Sequence, residues 1–426
     1  MTRSLNVAIA PCKELSGAIT APPSKSRTHR ALIAGLLSTG TSTIENPLSC
    51  DDTKATLHAA VAFGAQINRD QKLWTVRSDG HPRKPDGEIC CGESAATLRF
   101  MASIASLTGE KVVLTGRDSL MRRPLAPLIE ALGEIGVTAK LSEEKLVVQG
   151  RADGGVAHIR GDVSSQFISG LLFAGPLMSR GLEIELTTLV ESRNYILQTL
   201  QTMKQHGIDV KSDPNMSAFQ IDGGQTYSPA DHRVSGDYSS AAFALAAAAI
   251  TGAKLFVRNL PRNDQEPDSL IIDILSRMGA ETHVADDGIS VEGSQFKGLR
   301  VNLRDNPDLC PVMVVLGVFA NGETIIEGAK RLRHKESDRL EAISTELNSL
   351  GANIKTTEDG LRIRGPSSLS GGSVDSHGDH RIAMALAVAA LNAKSNVEIR
   401  RAECVSKSYP NFFEDLRSVG VEVIER

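Results

Sequence analysis

Seven positively charged side chains stand at or just before the predicted starts of helices. A helix start exposes unpaired N–H groups and carries the positive end of the helix dipole, so a cation there costs about 0.3–1 kcal/mol. Bound anions would offset that cost, and guanidinium groups grip phosphate and carboxylate through paired hydrogen bonds. The pattern predicts a site for a substrate that carries such groups. The seven cations are Lys25, Arg27, Arg123, Lys335, Arg339, Arg381 and Lys407.

Two simpler interpretations stay open at this point. The segment from Lys335 to Arg339 also fits a solvated helix face with i,i+4 ion pairs. Serines near the helix starts, such as Ser239 and Ser240, fit N-caps equally well. Other polar residues at such starts are Ser24, Ser26, Ser164, Ser165, Gln166, Asp379 and His380.

Several titratable residues could supply acid and base groups at such a site. The chain has no Walker glycine loop, no dinucleotide fingerprint and no recognisable order of Ser, His and Asp. Catalysis would therefore depend on positioned cations together with acid and base groups. The candidates are Asp308, Glu336, Lys25, His380 and Lys407.

The helices that position these residues recur with a fixed period. An apolar helix followed by a turn and a short strand occurs six times, with Gly40, Gly109, Gly181, Gly252, Gly322 and Ala393 at corresponding places. A second series of helices ends at Gly64, Gly136, Gly207, Gly279, Gly351 and Gly420, which we interpret as left-handed C-caps. Spacings of about 70 residues predict six units, each with two helices and several strands.

The sixth unit ends before its expected last strands, and the N-terminal strands at Leu5–Ala10 and Gly17–Thr20 can complete it. We therefore predict one domain from residues 1–20 and 235–426 and a second from 21–234. The chain crosses between them near Pro22 and between Arg233 and Gly236. Two crossings form a hinge, so we expect a site between the halves that closes on its ligand.

Composition indicates an ordinary globular protein without a special partner. Of 426 residues, 41% are hydrophobic, and the net charge of −4 argues against nucleic acid and anionic membranes. The N-terminus lacks a signal peptide, so we expect a cytoplasmic chain. The six cysteines have no metal-ligand spacing, which predicts buried reduced thiols and no metal site.

Nine short strings make a resemblance specific. PSKSRTHR, GESAATLRF, MRRP, SSQF, SRNY, NPDL, HKESDRL, GDHR and SKSYP occur in the order found in the 5-enolpyruvylshikimate-3-phosphate synthase family, and the resemblance covers nearly the whole chain. It implies an α/β fold of two inside-out barrels, built from six βαβαββ repeats with three in each domain. It also implies a monomer that needs no cofactor.

The resemblance implies transfer of the carboxyvinyl group of phosphoenolpyruvate to the 5-hydroxyl of shikimate 3-phosphate, with release of phosphate. Asp308 would be the base at that hydroxyl, and Glu336, with Lys25 nearby, would serve the proton at the enol methylene. Shikimate 3-phosphate would bind Lys25, Ser26, Arg27, Ser164, Ser165, Gln166, Ser192, Tyr195, Asp308 and Lys335. Phosphoenolpyruvate would bind Lys25, Ala95, Arg123, Gln166, Arg339, Arg381 and Lys407.

The second unit departs from the GNAGT pattern common in this family. Glu93 replaces the usual Asn, Ala95 the second Gly and Ala96 the Thr, while Arg331 stands where many members have Asn. In the resembled family the inhibitor glyphosate occupies the phosphoenolpyruvate pocket, with its phosphonate end near that second glycine. Because the inhibitor is longer than the substrate, the methyl of Ala95 predicts a glyphosate-insensitive enzyme.

Two rival functions are weighed against this one. The sister enolpyruvyl transferase that acts on UDP-N-acetylglucosamine resembles the chain poorly at KESDRL and SSQF. It also uses a loop cysteine that is absent from Gly116–Pro124. A non-catalytic phosphate-binding scaffold would explain the cations but gives no reason for Asp308 and Glu336 beside them.

Overall fold

The chain forms two compact units in a computed structural model that describes residues 5–426 except 13, 143, 263–265 and 294. One unit combines Met1–Pro22 with Ser235–Arg426 and is called the split unit below. The other is the continuous segment Pro23–Val234, called the 23–234 unit. The chain passes from the split unit to the 23–234 unit after Pro22 and returns after Val234.

Thirteen α-helices and five 3₁₀ helices occur among the described residues. The α-helices are α1 (Lys25–Leu37), α2 (Asp51–Ala62), α3 (Ala95–Ala105), α4 (Asp118–Met121), α5 (Ala126–Glu134), α6 (Ser165–Ala174), α7 (Arg193–Gln205), α8 (Tyr238–Thr251), α9 (Leu270–Met278), α10 (Cys310–Phe319), α11 (Arg339–Ser349), α12 (His380–Ala390) and α13 (Phe412–Ser418). The 3₁₀ helices are Gly175–Leu177, Pro267–Ser269, Pro307–Leu309, Lys330–His334 and Ala402–Lys407.

Twenty-four strands occur in the same part of the chain. They are β1 (Val7–Ile9), β2 (Ala18–Thr20), β3 (Thr39–Glu45), β4 (Gln66–Arg69), β5 (Leu73–Asp79), β6 (Ile89–Cys90), β7 (Val112–Thr115), β8 (Thr138–Leu141), β9 (Lys145–Gln149), β10 (Gly155–Ile159), β11 (Leu182–Leu186), β12 (Lys211–Ser212), β13 (Ala218–Ile221), β14 (Asp231–Arg233), β15 (Lys254–Arg258), β16 (Glu281–Val284), β17 (Gly288–Glu292), β18 (Arg300–Asn302), β19 (Gly322–Glu327), β20 (Ile354–Thr356), β21 (Leu361–Gly365), β22 (Gly372–Asp375), β23 (Val397–Arg400) and β24 (Val423–Glu425).

The strands form six four-stranded sheets with one common arrangement. In each sheet the first strand, at one edge, pairs in parallel with the second. The third strand pairs antiparallel with the second, and the fourth pairs antiparallel with the third. The orders are β14-β3-β5-β4, β6-β7-β9-β8, β10-β11-β13-β12, β2-β15-β17-β16, β18-β19-β21-β20 and β22-β23-β1-β24.

The N-terminal strands complete two sheets of the split unit. β1 lies between β23 and β24, with Val7 opposite Ile399 and Glu425, as the sequence predicted for the sixth unit. β2 pairs with β15 in the fourth sheet instead. The first sheet takes its edge strand from β14, with Asp231 opposite Thr43, just before the chain leaves the 23–234 unit.

Buried helices lie at the centre of each unit. In α8, every residue from Tyr238 to Ile250 is buried, and its run of alanines allows close approach by α10 and α12. These helices belong to the apolar core of the split unit, while α1, α3 and α6 belong to a separate core in the 23–234 unit. Strands such as β11 alternate buried and exposed residues, as expected for sheets with one covered face.

The glycines of the second series end their helices as predicted. All six have positive φ, from 78° at Gly207 to 111° at Gly64, a conformation that side chains with a Cβ rarely adopt. In the first series, Gly252 caps α8, whereas Gly40 is the second residue of β3 and Gly322 is the first residue of β19.

Two smaller features complete the description of the fold. All six cysteines are unpaired, and four are buried, but Cys90 is exposed, against the expectation that all would be buried. Within the described ranges, no helix combines the length and the apolar character needed to cross a membrane.

Candidate active site

Lys25 is held by a carboxylate from the next helix. It is the first residue of α1, after the N-cap Ser24, and its Nζ lies 2.8 Å from Oδ2 of Asp52. Asp52 stands in the first turn of α2, where the helix dipole favours a negative charge. The chain itself therefore supplies part of the negative charge that the sequence predicted beside this cation.

Arg30, which the sequence analysis did not single out, joins two predicted shikimate 3-phosphate residues. Its Nη1 donates to Oγ of Ser26 at 2.6 Å, and its Nη2 donates to the carbonyl oxygen of Tyr195 at 2.7 Å. Ser26 in turn donates to Oε1 of Gln198 at 2.6 Å. The spacing of four residues between Ser26 and Arg30 on one helix was the signal that could have identified this pair.

Arg27 lies next to the Ser26 partner Gln198 and two residues near the end of the unit. It lines a small polar pocket with Gln198, His232 and Arg233. Burial, together with the charges of His206 and Arg27, lowers the pKa of His232 to about 4, although Asp231 partly opposes the shift. Arg27 and Ser26 thus have Gln198 as a common neighbour. The predicted contact of Arg27 with shikimate 3-phosphate stays a prediction.

The third unit's predicted residues surround the start of α6. Ser164 caps the helix and accepts from the backbone N–H of Gln166 at 3.3 Å. Arg99 of α3 donates through Nη1 to Oγ of Ser164 at 3.0 Å and to Oε1 of Gln166 at 2.9 Å. Its Nη2 lies 3.5 Å from the carbonyl oxygen of Pro124, the residue after the buried Arg123. Residues from two sequence units are thus brought to one guanidinium group.

Ala95 is the first residue of α3. Its neighbour Ser94 caps the helix, accepts from the N–H of Thr97 at 3.2 Å and bonds the hydroxyl of Thr97 at 2.7 Å. Glu93 accepts from the hydroxyl of Ser119 at 2.7 Å and lies 4.0 Å from the guanidinium of Arg117. The Glu93 carboxylate therefore has partners on the 116–124 loop.

Arg339 organises the carboxylates of the split unit. Its Nε donates to Asp379 at 2.8 Å, its Nη1 to Asp308 at 2.9 Å and its Nη2 to Glu336 at 2.7 Å. The side chain is only 2% exposed, and Asp379 is fully buried. Three of the five guanidinium N–H groups are used in these bonds. The two proposed acid–base carboxylates are therefore joined through one cation.

Arg381 and Lys407 lie next to the same segments. Arg381 donates through Nη2 to Oδ2 of Asp308 at 3.0 Å and through Nη1 to the Asp308 carbonyl at 3.4 Å. Lys407, 8% exposed, donates to the carbonyl oxygen of Gly378 at 2.7 Å. Asp308 is thus held by two arginines, which keep its carboxylate oriented and stabilise its negative charge.

Lys335 and Glu336 do not lie in a helix. They follow the 3₁₀ helix Lys330–His334, and α11 begins only at Arg339 with Asp338 as its N-cap. The interpretation of this segment as a solvated helix face is therefore wrong. Removal from water lowers the pKa of Lys335 to about 8, and the charge of Asp308 partly opposes that shift.

A buried carboxyl, Asp268, lies near enough to Asp308 to interact with its charge. It accepts from Nδ2 of Asn306 at 3.1 Å and bonds the hydroxyl of Ser239. Burial, followed by the negative charge of Asp308, raises its pKa to about 6. The N-cap of α8 is Asp237 rather than Ser239 or Ser240, so the N-cap interpretation of these serines is wrong.

The predicted substrate residues are divided between the units. Lys25, Ala95, Arg123, the residues at the start of α6, Ser192 and Tyr195 belong to the 23–234 unit. Asp308, Lys335, Glu336, Arg339, Arg381 and Lys407 belong to the split unit. Within each unit, hydrogen bonds connect several of them: Ser26 with Tyr195, Ser164 with Gln166, and Asp308 with Glu336, Arg339 and Arg381.

Comparison with known proteins identifies the family. The family model for EPSP synthase (3-phosphoshikimate 1-carboxyvinyltransferase) matches residues 9–416. The chain belongs to this family. A 3-phosphoshikimate 1-carboxyvinyltransferase of Methanocorpusculum labreanum is 40% identical over 416 residues, which cover 97% of this chain and 98% of that relative. One from Clostridium novyi is 39% identical over 426 residues and covers 97% of both chains.

Solved structures of this family share the fold. EPSP synthase of Acinetobacter baumannii matches with a TM-score of 0.82 and 28% identity over 99% of this chain and 100% of that one. The enolpyruvyl transferase NikO of Streptomyces tendae matches with a TM-score of 0.80 over 99% of both chains, at 18% identity. The α/β fold implied by the sequence resemblance is confirmed by these matches.

Proposed function

We propose that this chain transfers the carboxyvinyl group of phosphoenolpyruvate to the 5-hydroxyl of shikimate 3-phosphate and releases phosphate. The observation that carries the proposal is the family match over residues 9–416. The geometry supports it, because one guanidinium holds Asp308 and Glu336, the groups that such a reaction needs as acid and base.

In this proposal, shikimate 3-phosphate is bound by cations and hydroxyls of the 23–234 unit, with Asp308 and Lys335 from the split unit. Phosphoenolpyruvate, which carries a carboxylate and a phosphate, is bound by Lys25, Arg123, Gln166, Arg339, Arg381 and Lys407. Arg339 can take part because two of its N–H groups remain after the three carboxylate bonds.

The proposed reaction begins when the 5-hydroxyl oxygen of shikimate 3-phosphate attacks C2 of phosphoenolpyruvate. Asp308 takes the proton of that hydroxyl at the same time. Glu336, with Lys25 nearby, delivers a proton to C3, and a tetrahedral intermediate forms. Loss of a proton from C3 then expels phosphate and restores the double bond. Carboxylates stabilise the oxocarbenium character at C2, and the cations stabilise the departing phosphate.

Phosphate release with different acceptors tests the proposal. The chain is incubated with phosphoenolpyruvate and either shikimate 3-phosphate or UDP-N-acetylglucosamine, and free phosphate is measured. We expect release only with shikimate 3-phosphate. Release only with the nucleotide sugar would support the sister transferase, and no release with either acceptor would support the phosphate-binding scaffold.

A further inference from the structure

Arg99 contacts two of the predicted substrate residues, although the sequence analysis gave it no role. It lies on α3, and its guanidinium is 4.8 Å from the centre of the Phe167 ring. Only 8% of the residue is exposed. Two hydrogen bonds from Nη1 reach Ser164 and Gln166 at the start of α6. The group is thus clamped between a helix start and an aromatic face.

The helices that carry these residues approach each other closely. A Cβ at Gly170 of α6 would lie 2.7 Å from Oγ of Ser103 and 3.0 Å from the carbonyl oxygen of Arg99. A real Cβ essentially never lies as close to another atom as 2.7 Å, so a glycine at position 170 allows α3 and α6 to approach this closely. The position of Arg99 relative to Ser164 and Gln166 is therefore set by backbone packing as well as by hydrogen bonds.

The contact determines which way the Gln166 amide points. A guanidinium has only donors, so it must bond the amide oxygen, and Oε1 lies 2.9 Å from Nη1. The two N–H groups of Nε2 then face away from Arg99. In this orientation Gln166 can only donate to a ligand that approaches from the other side.

The same reasoning applies to Ser164. Its Oγ accepts from Nη1 of Arg99 at 3.0 Å and from the N–H of Gln166 at 3.3 Å. A hydroxyl has two acceptor sites and one donor. With both acceptor sites taken, its proton is left to donate to a ligand.

We propose that Arg99 is a positioning residue that turns Ser164 and Gln166 into obligatory donors and so selects a phosphorylated acceptor over its unphosphorylated analogue. Phosphate oxygens accept and cannot donate at a fully ionised ester, whereas a free hydroxyl donates as well as accepts. The inference rests on the proposed function and adds the reason why the acceptor must carry a phosphate.

The test compares shikimate 3-phosphate with shikimate in two Arg99 variants. Arg99→Lys keeps the charge but cannot hold two acceptors in a planar fork, and Arg99→Met keeps much of the packing without any donor. We expect affinity for shikimate 3-phosphate, measured by calorimetry, to fall by about 10- to 100-fold, as for lost charge-assisted hydrogen bonds. Affinity for shikimate should change less, so the ratio of the affinity for shikimate 3-phosphate to that for shikimate becomes smaller.

Gln166→Glu gives a second test that leaves Arg99 in place. One carboxylate oxygen can pair with Arg99, and the other then faces the substrate as an acceptor. We expect weaker binding of shikimate 3-phosphate and a smaller loss for shikimate. Exposed Arg151 provides the matched control, because Arg151→Met removes an arginine from the same unit. This control should leave both affinities unchanged.

The outcomes separate this inference from the proposed function. If the parent chain binds no shikimate 3-phosphate, both fail. If the parent binds it and turns it over, but all variants at Arg99 and Gln166 keep the parental preference between the two acceptors, only the role of Arg99 fails. Equal losses of affinity for both acceptors count as an unchanged preference, because they indicate a purely structural residue.

Discussion

At the residue scale, the proposed acid and base groups also hold cations in place. Asp308 accepts from Arg339 and Arg381, and Glu336 accepts from Arg339. Removing a whole side chain would therefore take one partner away from a buried guanidinium, which is costly in itself. A substitution that tests the chemistry must therefore keep the shape of the side chain and remove only its ability to take or give a proton.

We predict that Asp308→Asn and Glu336→Gln each lower kcat by roughly 100-fold or more. The amides keep the size of the carboxylates, but they cannot accept or deliver the proton. KM for the two substrates should change much less than kcat, because the surrounding cations remain. Steady-state kinetics with phosphate release as the signal measures both constants.

Glu341→Gln is the matched control, since Glu341 is an exposed residue in the first turn of α11. It should retain parental kcat and KM. Near-normal turnover in both the Asp308 and the Glu336 variants would remove the acid–base assignment.

A second prediction at the residue scale concerns the methyl group of Ala95 at the start of α3. Overpacking of a tight site costs about 1–3 kcal/mol, or roughly 5- to 150-fold in affinity. We predict that Ala95→Gly becomes more sensitive to glyphosate by a factor in this range, while KM for phosphoenolpyruvate stays close to the parental value. The inhibition constants of glyphosate for the parent chain and for Ala95→Gly measure this change.

Ala96→Gly controls for this change, because it puts a glycine into the same helical turn at a buried position. Both variants lose about 1 kcal/mol of helix propensity at most, so a general loosening of α3 would affect them equally. If a glycine at position 95 leaves glyphosate inhibition unchanged, the methyl group of Ala95 does not weaken inhibitor binding and the prediction is wrong.

At the element scale, one acidic residue joins two helix starts in the split unit. Asp379 caps α12 by accepting from the N–H of Arg381, and its second oxygen accepts from Nε of Arg339 at the start of α11. The hydroxyl of Ser337, just before α11, also lies 3.3 Å from it. The starts of α11 and α12 are thus fixed to each other and to the 3₁₀ turn Pro307–Leu309 that carries Asp308.

We predict that Arg339→Met destabilises the split unit by about 3–5 kcal/mol, the usual cost of removing one partner from a buried ionic cluster. Three carboxylates would remain together without the guanidinium that joins them. For a unit of this size the loss lowers the melting temperature by roughly 6–20 °C. Scanning calorimetry of the ligand-free chain measures it.

Arg333→Met is the control for this prediction. Arg333 pairs with Asp338 at 2.9 Å, but the two side chains are 27% and 37% exposed. Such pairs contribute about 0–1 kcal/mol. If both variants melt at the same temperature, the cluster around Arg339 does not stabilise the fold.

At the scale of the whole molecule, the two units differ in how the chain builds them. The 23–234 unit is continuous and has its own apolar core. The split unit depends on β1, whose three residues are buried and pair with β23 on one side and β24 on the other. A central strand contributes hydrogen bonds and packing on both edges, so its loss divides the sheet.

We predict that deletion of the residues through Ala10 prevents cooperative folding of the split unit and leaves the 23–234 unit folded. Limited proteolysis of the shortened chain should then release a resistant fragment that begins near Pro23 and ends near Val234. Mass spectrometry of the digest identifies the fragment.

The matched control is deletion of residues 423–426, which removes β24 from the edge of the same sheet. An edge strand pairs on one side only, so this chain should remain resistant as a whole. Full resistance of the chain that lacks β1 would contradict the prediction.

The sequence by itself determined the repeating framework. The glycines at the ends of the second helices all have positive φ, because a helix end that reverses direction favours a residue without a Cβ, and this requirement is local. The incomplete sixth unit predicted that the N-terminal strand belongs with the C-terminal residues, and β1 is found there. The ordered strings predicted the family, which the comparisons confirm.

The tertiary structure alone decided which polar side chains meet. Ser26 bonds Gln198 across 172 residues of sequence, and Arg99 reaches Ser164 across 65. Such partners depend on how buried helices pack, which helical periodicity does not specify. For that reason the sequence placed Lys335 and Glu336 in a helix, missed Arg30, and gave no role to Arg99.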